Sequence, residues 1–124
     1  YRPFPVHIVQ GVEPHPITEG LADFTIEDEV YIVEGDPACW RILAHAGGHP
    51  VLYTRNWGEG RVVVNTLGHD SAALQNPSFG AILKRSIIWA AKKESDSAQR
   101  VQGPGPHQAG TGDPQGTLPR SSRQ

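Results

Sequence analysis

Gly58-Glu59-Gly60-Arg61-Val62-Val63-Val64-Asn65-Thr66-Leu67-Gly68-His69-Asp70 decides how the chain is read. A tight glycine turn leads into a strand rich in β-branched residues, and Gly68 then releases His69 and Asp70 into a loop. In open α/β sheets the ligand crevice lies beyond the carboxyl ends of the strands. His69 and Asp70 are therefore the first candidate catalytic residues. Local sequence also allows Asp70 to cap a following helix and His69 to be a surface loop residue.

Working outward, residues 49–55 read as a strand, and the short segment 56–60 folds it back as a hairpin onto residues 61–67. A hairpin is antiparallel, so the expected sheet is mixed rather than wholly parallel. Downstream, Asn76 and Pro77 form a helix cap and first-position pair. Phe79, Ile82, Leu83, Ser86, Ile87 and Ala90 recur at helical spacing on one face, and Lys92 and Lys93 suit the carboxyl end. Upstream, residues 5–10, 29–33 and 40–46 read as further strands, with Gly47-Gly48 closing the last. The run Glu27, Asp28, Glu29 is expected to be a solvated face.

Composition narrows the function classes. The 124 residues carry a formal net charge of -2, which gives no electrostatic footprint for nucleic acid or an anionic membrane. No apolar run approaches the roughly 20 residues of a membrane helix. Cys39 is the single cysteine, so no intrachain disulfide forms and a reducing, cytoplasmic compartment is expected. It has no partner at metal or redox spacing and is read as a small core residue. Residues 94–124 are rich in Gly and Pro and poor in large aliphatics, as expected of a disordered tail after a domain over residues 1–93.

Five segments together resemble a known family. His15-Pro16-Ile17-Thr18-Glu19-Gly20-Leu21, Asp28-Glu29-Val30-Tyr31, Thr54-Arg55-Asn56-Trp57-Gly58-Glu59-Gly60-Arg61-Val62, Leu67-Gly68-His69-Asp70 and Ile87-Ile88-Trp89-Ala90 are similar to the carboxyl-terminal half of a ThuA-like (trehalose utilisation) domain, in its order and near its spacing. The resemblance implies an α/β fold of the flavodoxin-like, class I glutamine amidotransferase-like kind, with a mixed sheet and a C-terminal hairpin and helix. It also implies an incomplete domain, because the family's opening strand, its Gly- and His-rich loop and its first βα units have no counterpart and the chain contains no Met.

The function implied is the binding or conversion of trehalose or a related disaccharide, with a small-molecule carbohydrate as partner and self-association as a further expectation. The resemblance singles out Glu29 and Tyr31, which project to one face of a strand start and can bind sugar hydroxyls. Glu29 joins His69 and Asp70 as a catalytic candidate, since a carboxylate fixes an imidazole tautomer. Arg55 offers a planar fork of donors for hydroxyl or carboxylate groups, or pairs with Glu59 across the turn. Trp57 covers a sugar ring or caps the hairpin. His15 lines the site or bonds the loop backbone. A divalent metal held by His69, Asp70, His15 and Glu29 is chemically acceptable, and the metal, if any, is unknown. The alternative is a non-catalytic, amidotransferase-like accessory or binding module. True glutamine amidotransferase activity is not expected, because Cys39 does not sit on a strand-to-helix elbow.

Overall fold

The computed structural model describes residues 1–95. Five strands, β1 (Arg2–Ile8), β2 (Phe24–Asp28), β3 (Arg41–Ala46), β4 (His49–Trp57) and β5 (Gly60–Asn65), form one sheet in the order β2-β1-β3-β4-β5. Two helices follow, α1 (Ser71–Leu74) and α2 (Pro77–Ala90). Every strand pairing is antiparallel, which corrects the expected mixed sheet. For the two hairpins the physical reason is connection length. β3 and β4 turn through Gly47 and Gly48, at φ 57° and 78°, and β4 and β5 through Gly58 and Glu59, whereas a parallel pair needs a crossover of about a dozen residues.

The strand expected over 5–10 begins earlier, at Arg2, and contains Pro3 and Pro5. It tolerates them because Arg2 to Val6 pair only with β2, while β3 takes His7 and Ile8. Prolines two apart direct their missing donors to the same, unpartnered side. The strand expected over 29–33 lies instead at Phe24–Asp28. Its pairing with β1 ends at Arg2↔Asp28, and among the described residues no strand receives the Val30-Tyr31-Ile32-Val33 segment beyond it.

One face of the sheet carries the core, in which Val6, Ile17, Ile26, Val51, Leu52 and Ile82 are almost fully buried. Each such aliphatic contributes about 1.5–3 kcal/mol of burial. The helices and the turn at 15–21 cover this face. Asn76 caps α2 through Oδ1, which accepts from Ser78 N and Phe79 N, and its Nδ2 donates to Thr25 O at 2.9 Å, tying α2 to β2. The buried stripe of α2 is Phe79, Ile82, Ser86 and Trp89, and Leu83 and Ile87 are exposed, so the apolar face expected to include them is rotated towards Trp89.

Cys39 ends a short 3-10 turn, Pro37–Cys39, and is exposed rather than part of the core. Glu94 accepts from Arg61, which also donates to Trp89 O at 2.9 Å. Of the tail expected over 94–124, residues 96–124 lie outside the described residues.

Candidate functional site

Asp28 is fully buried, and its carboxylate organises the end of the sheet. Oδ2 accepts from Gly68 N at 2.7 Å; Oδ1 accepts from Glu29 N at 2.8 Å and His69 N at 3.1 Å. A buried carboxylate is stable only when hydrogen-bonded in this way. Asp28 is thus not part of a solvated acidic face, as the run Glu27-Asp28-Glu29 suggests; of its neighbours, Glu27 is exposed and Glu29 is half-buried. The sequence did carry a signal, because Phe24, Ile26 and Asp28 fall on one face at the strand period of two.

This anchor brings the segment after β2 against the loop after β5. Tyr31 OH donates to Glu29 Oε2 at 3.0 Å and lies 2.9 Å from His69 Nδ1, with Glu29 Oε2 at 3.4 Å from the same nitrogen. Because the phenol proton is given to Glu29, its oxygen accepts from an Nδ1–H of His69. That tautomer leaves Nε2 of the neutral ring with a free lone pair. The hydrogen bond to Glu29, then desolvation and the carboxylate charges, raise the Tyr31 phenol above its ordinary value, so it stays protonated at neutral pH.

Asp70 is adjacent in sequence but otherwise engaged. Its Oδ1 accepts from Ala72 N at 2.9 Å and Ala73 N at 3.1 Å, capping α1. Interaction with the nearby Tyr1 hydroxyl holds the Asp70 carboxyl below its usual range and pushes the Tyr1 phenol up to about 12. The Tyr1 ring is 6.3 Å from that of His69, a neighbour the sequence did not suggest.

The remaining candidates lie elsewhere. His15 is 5% exposed, packed against Trp89 with ring centroids 4.8 Å apart and planes tilted by 59°, and its Nδ1 accepts from Ile17 N at 3.1 Å. Gly68 adjoins Phe79 near the start of α2, whereas Trp89 is ten residues further along, about 15 Å at the helical rise. Arg55 pairs with Val62 and Trp57 with Gly60, at the hairpin end of β4 and β5 remote from His69. Of the two alternatives for Arg55, the pair with Glu59 is not seen; the guanidinium instead contacts two indoles. Among the described residues no group of three or more His, Cys, Asp or Glu is arranged to hold a metal ion, so the four-residue set His69, Asp70, His15 and Glu29 is not gathered. Among the same residues no helix is long and apolar enough to cross a membrane.

An antiparallel sheet backed by two helices, with a His, a Tyr and a Glu converging beyond its strands, defines an α/β domain with a polar surface site. Residues 2–90 match the family model ThuA, trehalose utilisation, and the chain belongs to that family. No curated protein and no solved structure is found similar to it.

Proposed function

We propose that this chain is a carbohydrate-handling domain that binds or converts trehalose or a related disaccharide through Glu29, Tyr31 and His69. The observation that carries the reading is the Tyr31 hydroxyl, which bonds to both Glu29 and His69. Carboxylate, phenol and imidazole together offer the donors and acceptors that sugar hydroxyls require. His69 Nε2 takes a proton from a substrate hydroxyl, and Glu29, through Tyr31 and directly, stabilises the imidazolium that results. Asp70 acts as a positioning residue by holding the start of α1. Arg55, Trp57 and His15 have no part in this reaction. A flavodoxin-like, amidotransferase-like architecture for the whole domain belongs to the same proposal and rests on family membership.

A second reading, a binding module without chemistry, is favoured by exposure. The Glu29 and His69 side chains are 45% and 46% exposed, whereas catalytic proton transfer gains most in a water-excluded site. Calorimetric titration of the chain with trehalose and its oxidised derivatives tests both readings. Binding that is lost in His69→Ala and Glu29→Ala supports the site, and turnover of the bound sugar then selects the enzyme over the module. Absence of binding by the folded chain contradicts both.

A further inference from the structure

Tyr53, Arg55 and Trp57 alternate along β4 and therefore project from one face of the sheet. Trp40 immediately precedes β3, and the register Arg41↔Thr54 sets it opposite Arg55. Arg55 Cζ lies 5.3 Å from the Trp40 ring centroid and 4.8 Å from that of Trp57. Trp40 is itself braced edge-on by Tyr53, at 5.0 Å and 88°. The guanidinium is thus held between two indoles.

That position has an unmet requirement. No ion pair joins Arg55 to a described carboxylate, so its charge is uncompensated; Nε is buried without a hydrogen-bond partner and out of a ligand's reach, which leaves the two terminal nitrogens. Cation–π attraction offsets only part of the hydration that a guanidinium loses on burial. We propose that Arg55 is the anion-binding element of a second site, taking the oxyanion of a small ligand, a carboxylate or a phosphate, on its two terminal nitrogens.

A guanidinium fork matches either oxyanion bidentately, and one already clamped loses little side-chain freedom on binding. Trp57, 68% exposed, supplies a flat apolar face beside the fork for a ring carrying the anion. On the same face an apolar cavity of about 170 Å³ is lined by Trp40, Ile42, Tyr53 and Val64, with Glu34 and Asp36 also in its wall. Those carboxylates repel an anion from the cavity and confine it to the Arg55 side. The site lies by the β4–β5 turn, whereas His69 follows the opposite end of β5, so this inference is independent of the sugar reading.

Trp40 and Trp57 report occupancy through their fluorescence. The full chain is titrated separately with inorganic phosphate, glucuronate and, as a neutral control at equal ionic strength, glucose. The expected result is a saturable change with phosphate, glucuronate or both and none with glucose, retained in His69→Ala and weakened about tenfold or more in Arg55→Gln. The tighter of the two anions identifies the ligand as a phosphate or a carboxylate. Arg55→Lys keeps the charge without the fork and weakens binding to an intermediate degree, which also decides the matter should Arg55→Gln fail to fold. No saturable response to either anion, or a response unchanged in the Arg55 variants, overturns the proposal.

Discussion

Asp28 accepts a hydrogen bond from the backbone N–H of Gly68 at 2.7 Å, joining the end of β2 to the loop beyond β5. Forty residues of chain separate the two, and Glu29, Tyr31 and His69 meet because this bond and its neighbour at His69 N close that gap. Asp28 touches no ligand-facing group through its side chain, yet the geometry of the candidate site depends on it.

Asp28→Asn keeps the shape but replaces one acceptor with a donor facing a backbone N–H. A buried amide left unpaired, together with loss of charge-assisted bonds, lowers stability by about 1.5–3 kcal/mol. The exposed neighbour Glu27→Gln stays within about 0.5 kcal/mol of the parent. Urea unfolding of the two variants side by side measures the contrast, and equal effects would show that the carboxylate is not an anchor.

Gly68 has φ 104°, and a Cβ built on it would stand 2.9 Å from Phe79 Cζ. Gly68→Ala therefore meets both backbone strain and a ring packed in the core. A loss of about 1–3 kcal/mol is expected, with displacement of the His69 amide resonance. An unstrained, fully stable Gly68→Ala protein would mean that the loop reaches His69 by another path.

Tyr31→Phe removes the oxygen that accepts from His69 Nδ1. Because Tyr31 is exposed, stability changes little, but the imidazole loses its preferred tautomer. Nitrogen-15 spectra of the parent should show His69 protonated at Nδ1 when neutral, and those of Tyr31→Phe a mixture. A parent ring protonated at Nε2 contradicts the proposed base.

His15 gives the fold a pH dependence. Burial, then the charges of Arg41 and Arg61, depress its pKa from 6.5 to about 4. The unfolded chain therefore takes up this proton at higher pH than the folded one. Stability from the neutral buried ring is fully present above about pH 6.5, declines as pH falls, and is lost by about pH 4, a change of up to ~3 kcal/mol. Urea unfolding between those limits should show the slope in the parent and a flatter one in His15→Gln.

In the sequence Gly47-Gly48 reads only as the end of a strand, although it folds β3 back onto β4. The β4–β5 hairpin was legible because its signals are local: Gly58 supplies the turn and β-branched residues fill the strands. The same holds for α2, whose Asn76-Pro77 start appears as read. Val30-Tyr31-Ile32-Val33 misled because β-propensity records fitness for a pleated surface, and among the described residues this segment pairs with no strand. Cys39 misled because small apolar character says nothing of the exposed turn that holds it. Glu29, Tyr31 and His69 were picked out separately by family likeness and by position after a strand. Their meeting rests on Asp28 and on atoms distant in sequence, which no local pattern records.

Amide mapping of the folded chain during titration with trehalose locates the proposed sugar site, where Tyr31 joins Glu29 to His69. Saturable shifts are expected at Glu29, Tyr31, Gly68 and His69, abolished in His69→Ala, with the amide of Ile17 beside buried His15 unmoved. Saturable shifts confined to other parts of the surface, or no shifts at all, would contradict that site.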